Sequence, residues 1–538
     1  LSETVIKITG DEYREYLRDE SRSTGDAESI SFPQNEYEIR QVLSAITKEG
    51  LKLTIQGART GLTGAAVPQG GHIMNLSRMN SIVGARYDSE KRSAFLTVQP
   101  GVLLSQLRKN LEHLNFETQG WSNDSLSHLE SLKKTGPWFF TPVPTEASAA
   151  IGGMVSCNAS GARSFFYGPT RDYIESLRVV LPDGSVLHLK RGMQKCAGRS
   201  FSLMTDSGNV IRGVLPTYQM PEVKNASGYY IKDNMDLIDL FIGSEGTLGI
   251  ISEIEIRLIP APRAIWGITI FFPEEKTALK FVRAVRGETI GKERPFPHRP
   301  VSIEFFNNKA LDLLRKQKEH NPAFGQIQEL KADYHTAIYV EYHGDNEKDL
   351  FKIAMSLGKL ITACGGDEDN TWVAVKPLDM EKLLYFRHAI PESVNMLIDL
   401  RRQKEPGLTK LGTDMAVPDR ELDSIVELYN KRLKEKGLDS VMFGHIGNNH
   451  IHVNILPNNM GEYLEGKALY LEWAREAIQK GGTVSAEHGI GKLKTAFLEE
   501  MYGRKGIREM SALKKLFDPG GILNRGNLFT ANYLCEGR

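Results

Sequence analysis

The sequence is poor in cysteine: Cys157, Cys196, Cys364 and Cys535 are all it has in 538 residues, and they form no CxxC pair. That excludes a zinc ribbon and a cluster-binding ferredoxin segment, and scattered thiols fit a reducing, cytoplasmic setting. No apolar run approaches about 20 residues, so no membrane span is expected, while peripheral contact with a membrane stays open. The first stretch, LSETVIKITGDEYREYLRDE, is acidic and has no hydrophobic signal core. An excess of one charge is missing too. Lys plus Arg and Asp plus Glu number 67 each, which removes any bulk electrostatic case for nucleic acid or anionic lipid. Internal repeats and low-complexity tracts are also absent. What remains is an ordinary globular composition, 41% hydrophobic and 25% charged, in a chain too long for one core. Two sizeable domains are expected.

The apolar pattern alternates between helix and strand. In 35–50, Ile39, Val42, Leu43 and Ile46 recur at helical spacing, with Gly50 as the cap. LKLTIQG reads as a strand, as does SAFLTVQPG, and SLRVVLPDGSVLHL reads as a hairpin turning at Pro182-Asp183-Gly184. The strand ISEIEIRLI ends at Pro260-Ala261-Pro262-Arg263, where two prolines in three residues mark the main boundary. This gives a first domain, 1–262, and a second, 263–538, with the tail 500–538 a candidate for packing back on the first. Beyond the boundary AIWGITIFF and HTAIYVEYHG read as strands, the charged segment 274–299 as loop-rich, and 466–480 as a helix with Leu469, Trp473 and Ala477 on one face. The fold class is α+β.

Three small-residue loops in the first domain suggest a long ligand lying across it. Gly57-Ala58-Arg59-Thr60-Gly61-Leu62-Thr63-Gly64 follows a strand directly. Glycines there allow positive φ and let several N–H groups converge into a nest that holds pyrophosphate without lysine. Taken singly, such a loop is as often a plain tight turn. It is neither a P-loop nor a Rossmann GxGxxG, since no Gly-Lys-Ser/Thr ends it and the spacing differs. The second loop, TPVPTEASAAIGGMVSCNASGARSFFYGPTRDY over 141–173, offers Gly152, Gly153 and Gly161 for close approach and Ser156, Asn158 and Ser160 as short polar contacts. The third is IGSEGTLGII over 242–251.

The second domain carries FGHIGNNHIHVNIL over 443–456 and TVSAEHGIGK over 483–492. His450, His452 and Asn454 alternate along one strand face. Gly447-Asn448-Asn449 is a turn signal that brings His445 back beside His452. Converging imidazoles suit a divalent metal such as zinc, with Glu487 as a third ligand and His488 facing another way. The competing reading is a hairpin whose histidines are merely hydrogen-bonded to neighbours.

These segments, in this order, resemble the FAD-linked oxidases with a vanillyl-alcohol-oxidase-type FAD domain. That family includes D-lactate dehydrogenases, glycolate oxidase catalytic subunits, D-2-hydroxyglutarate dehydrogenases and alkylglycerone-phosphate synthases. The likeness covers about 27–260 and 375–530. It implies a two-subdomain, PCMH-type FAD-binding domain followed by an α+β substrate (cap) domain built on an antiparallel sheet. It also implies FAD held by residues 57–64, by Pro142, Pro144, Thr145, Gly152, Gly153, Ser156, Asn158 and Gly161, by Glu245, Gly249 and Ile250, and by Asn524 of the closing segment LKKLFDPGGILNRGNL. GARTGLTG has no histidine for covalent attachment, so the FAD is expected to be non-covalent. Matched residue by residue, His445, His452 and Glu487 are the expected ligands of zinc, iron or manganese. Asn454 touches substrate, His488 is the base and Arg387 binds the substrate carboxylate through its fork of donors. Without the resemblance, Arg387 reads as a helix-surface arginine. Lys410 is a weaker match to a second cation.

Asn448-Asn449 replaces the Asp-Gly of the family pattern, His450 stands where asparagine is common, and Arg525 and Asn527 replace proline and lysine. The resemblance implies oxidation of a small D-2-hydroxy acid to the 2-oxo acid, with electrons passed on to a quinone, an electron-transfer flavoprotein, an iron–sulfur subunit or oxygen. Two alternatives are a transferase like the alkylglycerone-phosphate synthases and a non-catalytic flavin electron-transfer subunit. A metal-dependent hydrolase would leave the glycine loops unexplained. Segment 121–140, longer than the family connection, is a candidate flavin cap or partner dock. Homo-oligomerisation, metal identity and the acid itself are left open.

Overall fold

The computed structural model describes residues 6–8, 11–142, 144, 146–289 and 294–535. In the first half, a small sheet runs in the order Ile6–Lys7, Ser29–Ser31, His72–Asn75, Leu53–Gln56, and its last three strands are parallel. Helix Glu36–Lys48 covers it. Asn35 caps the N-terminus by accepting from the Glu38 N–H, and Ile39, Val42, Leu43 and Ile46 face inward. The C-cap is Glu49, with Gly50 in the left-handed region just beyond. A second, antiparallel sheet runs Ile82–Asp88, Ser93–Val98, Ile250–Pro260, Ile174–Val180, Val186–Lys190. The expected hairpin is its edge, with Val180 opposite Val186. Segment 121–140 forms helix Asn123–Thr135 and strand Trp138–Phe139, and the strand pairs with Ile250–Pro260.

At 260–264 the chain leaves that sheet and enters another. Seven strands run in the order Thr371–Ala374, Ala264–Phe272, Thr336–Gly344, Ser302–Phe306, Ser440–His445, His450–Ile455, Leu411–Gly412, all antiparallel. Both faces are covered. Ile268, Ile270 and Phe272 pack in one core with Phe281 and Val282, while Phe271 packs in another with Leu311, Leu314 and Phe386. Segment 274–299 differs from expectation, since 275–285 is helix (Glu275–Val285) with Ala278, Leu279, Phe281, Val282 and Val285 buried. Its charges occupy one face only, so counting them hid the 3.6-residue period. Helix Met460–Gln479 buries Leu469, Trp473 and Ala477 as expected, but starts well before 466.

The C-terminal segment returns to the first half. Leu53 N–H donates to Ile522 O (2.9 Å), and Asn524 N–H donates to Leu53 O (2.8 Å). Among the described residues no helix is long and apolar enough to cross a membrane.

Candidate active site

A cleft of about 510 Å³ lies between the two halves, and its lining comes from both. The glycine loops form one wall. Residues 57–62 line it, together with Pro144, Gly152, Gly153, Ser156, Glu245, Gly249 and Asn524. Among the described residues, none of the backbone N–H groups of Ala58 to Leu62 donates to a protein acceptor. A row of free donors against a cleft is the chemistry an anionic pyrophosphate needs. Gly57 approaches so closely that a Cβ there would meet the Ala150 Cβ at 3.2 Å. The residues present therefore fit FAD.

Other residues expected on this wall lie elsewhere. Thr63 and Gly64 pass beneath the loop after His488, where Thr63 O accepts from the N–H groups of Lys492 (3.0 Å) and Leu493 (3.2 Å). Pro142, Asn158, Gly161 and Ile250 do not line the cleft. Asn158 takes a left-handed φ of 49° and its Oδ1 accepts from the Arg171 N–H. Ile250 is in the core. Thr145 falls outside the described residues. None of 121–140 lines the cleft. The carboxylate of Glu245 is spent on the N–H groups of Ile490 (2.7 Å) and Gly491 (2.8 Å), which tethers the segment after His488 to this wall. Burial pushes its pKa up to about 7.

Arg387, Lys410, His445, His452, Asn454, Glu487 and His488 line the opposite wall. Strands Ser440–His445 and His450–Ile455 form a hairpin in which His445 is opposite His450 and Phe443 opposite His452. The direct partner of His445 is thus His450, although His452 is nearly as near, with ring centroids 5.4 and 5.7 Å away. The turn closes with Asn449 at φ 52°, a conformation asparagine tolerates in place of glycine. Its side chain donates to Asp419 Oδ1 (2.7 Å) and accepts from Arg286 (2.6 Å). Gly444 is required, because a Cβ there would meet the His452 ring at 2.8 Å.

Each imidazole has one nitrogen close to an acceptor oxygen, as a hydrogen bond in His445 and His452 and as a charge contact without hydrogen-bond geometry in His450. His445 Nδ1 is 2.8 Å from Glu304 Oε1, His450 Nε2 is 2.9 Å from Asp414 Oδ1, and His452 Nδ1 is 2.9 Å from Thr413 O. The other nitrogens are left to converge. Ligand atoms of His445, His450 and His452 lie within 4.8 Å of one another, and Glu487 Oε2 is 3.3 Å from His445 Nε2. Imidazoles oriented from behind by acceptors, with a carboxylate beside them, are a donor set that fits a divalent ion. A second triplet, Asp414, His452 and His488, also falls within 4.8 Å.

Electrostatics separates the histidines. Burial lowers the pKa of His452 well below its ordinary value and that of His450 to about 4. For His445, burial acts downward as the largest single cause, but Glu304 and Glu487 together outweigh it and the net shift is upward. His488 is lowered by burial, partly offset by Asp414, whose Oδ2 lies 3.5 Å from Nδ1. It is therefore neutral near pH 7, as a proton acceptor must be.

Arg387 projects from helix Pro377–Arg402, with an Nη2 3.1 Å from Glu304 Oε2, and among the described residues its Nε has no hydrogen-bond partner. Asn454 Oδ1 is likewise buried without a hydrogen-bond partner among the described residues. Lys410 has its pKa lowered to about 8, first by burial and then by Arg22.

Several residues here escaped the sequence reading. Glu304 is the lone charge in the strand Ser302–Phe306, flanked by Ile303, Phe305 and Phe306, a signal legible in the sequence. Asp414, four residues from Lys410, accepts from Lys494 Nζ (2.7 Å), Ser485 Oγ (2.6 Å) and the N–H groups of Glu487 (3.2 Å) and His488 (3.0 Å). It shapes the turn that presents those two side chains. Lys224, 2.6 Å from Glu487, sits in irregular chain with no motif to announce it.

Known proteins with related sequences bear on this geometry. Residues 261–528 match the model for FAD linked oxidases, C-terminal domain, and 27–123 with 129–190 match that for an FAD binding domain. The chain is 28% identical over 536 residues to a D-lactate dehydrogenase of Anaerostipes hadrus, covering 97% of this chain and 94% of that one. It is 25% identical to a D-2-hydroxyglutarate dehydrogenase of Stutzerimonas stutzeri, with 98% and 96% covered. The crystal structure of p-cresol methylhydroxylase with substrate bound shares the fold at a TM-score of 0.66 and 14% identity, covering 99% of this chain and 95% of the other.

Proposed function

The chain belongs to the FAD-linked oxidases, and from that premise we propose that it oxidises a small D-2-hydroxy acid, of the D-lactate kind, to the 2-oxo acid. One observation carries the reading: a wall of free backbone donors faces, across one cleft, a neutral histidine, a buried arginine and a cluster of imidazoles. When bound, non-covalent FAD supplies the hydride acceptor, and a divalent ion on His445, His452 and Glu487 supplies a Lewis acid.

The chain's own residues do the rest. Arg387 anchors the substrate carboxylate, and its unpartnered Nε is one donor reserved for it. Glu304 holds that arginine and His445 at fixed positions through its two oxygens. Asn454 offers Oδ1 to a polar substrate hydrogen. His488 has Nδ1 turned toward Asp414, so Nε2 takes the hydroxyl proton. Names carried by relatives, D-lactate and D-2-hydroxyglutarate dehydrogenase, support this substrate class. A cluster of buried ionisable groups of this kind disfavours a pure electron carrier, which has no use for a base. A transferase of the alkylglycerone-phosphate-synthase kind would give a substituted product with no net flavin reduction.

Anaerobic titration of the purified yellow protein with D-lactate, D-2-hydroxyglutarate and related D-acids tests the proposal. Bleaching of the flavin with one equivalent of 2-oxo acid formed is expected. A flavin left oxidised by every acid of the panel overturns it. Reoxidation of the bleached protein by quinone, electron-transfer flavoprotein or oxygen would then identify the acceptor.

A further inference from the structure

Three carboxylates surround the imidazole cluster, and each is already matched by a cation. Glu304 faces Arg387 at 3.1 Å, Asp414 faces Lys494 at 2.7 Å, and Glu487 faces Lys224 at 2.6 Å. A divalent ion would add two positive charges in a space where the side chains of Lys224 and Glu487 are only 6% and 11% exposed. Uncompensated charge is costly in such surroundings.

Lys224 differs from the other two cations in where it sits. Its Nζ bonds Glu487 Oε2, the same oxygen that lies 3.3 Å from His445 Nε2 and 3.7 Å from His450 Nδ1, and is itself 3.3 Å from His450 Nδ1. An ammonium donates its hydrogens to the lone pairs that a metal ion would take. Two cations cannot draw on the one Glu487 oxygen at such range without strong repulsion.

We propose that Lys224 is the resident cation of this centre: its ammonium holds Glu487 Oε2 and His450 Nδ1, and a divalent ion binds only by displacing it. The proposal rests on the metal reading of the centre given above, and the test separates the two. FAD-loaded protein, freed of metal by chelation, is titrated with Zn²⁺ against a chromogenic chelator. Lys224→Met keeps the chain length and removes the charge, and its Zn²⁺ affinity is expected to rise at least tenfold over wild type. If Lys224→Met binds Zn²⁺ no more tightly than wild type, Lys224 orients Glu487 rather than competing for it, and the proposal falls while the metal site stands. If neither protein takes up Zn²⁺, Mn²⁺ or Fe²⁺, the metal reading fails and the proposal with it. Removing the charge leaves Glu487 unpartnered without metal, so Lys224→Gln, which can still donate to it, is carried through the same titration. Should Lys224→Met not fold, the affinity of Lys224→Gln relative to wild type decides by the same tenfold criterion.

Discussion

The two walls of the cleft are built by different means. The cofactor wall is largely backbone: Gly57, Ala58, Gly61, Gly152 and Gly153 bring little or no side chain, so that peptide groups reach the cleft. The opposite wall is made of long, ionisable side chains from widely separated stretches, among them Glu304, Arg387, His452, Glu487 and His488. Peptide dipoles bind without titrating and are set by local conformation. Buried charges need partners, and those partners must come from elsewhere in the chain. The first wall suits a cofactor that stays, the second a reaction in which protons move.

The largest expected effect breaks the comparison at its sharpest point. In His488→Ala, reduction of the flavin by the hydroxy acid should fall about 10²–10⁴-fold while FAD content per chain is unchanged. Rapid-mixing absorbance and the flavin-to-protein ratio measure both. Loss of FAD together with activity would mean that the walls are not separable.

The next concerns a buried histidine that serves structure alone. His72, in the small sheet behind the glycine loop, is bonded by Ser29 and Ser31 at 2.8 Å each, and burial pushes its pKa down to about 4. The folded state keeps it neutral while the unfolded chain protonates near pH 6.5. Its contribution is therefore complete above pH 6.5 and is lost as pH falls toward 4, amounting to about 3 kcal/mol. Denaturant midpoints at pH 7, 5.5 and 4.5 should fall accordingly, and His72→Asn should flatten that part of the profile.

Smaller effects separate two adjacent glycines. A Cβ on Gly152 would meet Pro100 Cβ at 2.5 Å and Pro100 O at 2.9 Å, so Gly152→Ala should cost about 1–3 kcal/mol of stability. A Cβ on Gly153 meets nothing within 4 Å and enters the cleft. Gly153→Ala should change stability by less than about 0.5 kcal/mol yet weaken FAD retention. Thermal melts and equilibrium dialysis of the flavin distinguish the two, and equal behaviour would deny that Gly153 faces the cofactor.

Local pattern alone carried much of this. The helix 36–48, the hairpin around Pro182-Asp183-Gly184, the change of sheet after Pro260, the glycine loop and the pairing of His445 with the strand after its turn were all legible, because each depends on residues within one turn or one hairpin. Glu304, Lys224 and the role of Asp414 were not. Each matters through a partner at least 70 residues away: Glu304 through His445 at a separation of 141, Lys224 through Glu487 at 263, and Asp414 through Ser485 at 71. A charge in sequence looks the same whether solvent or a buried imidazole awaits it. Period and turn chemistry are set by near neighbours and can be read along the chain. The pairing of buried charges is decided only when the sheet order brings distant segments to one cleft.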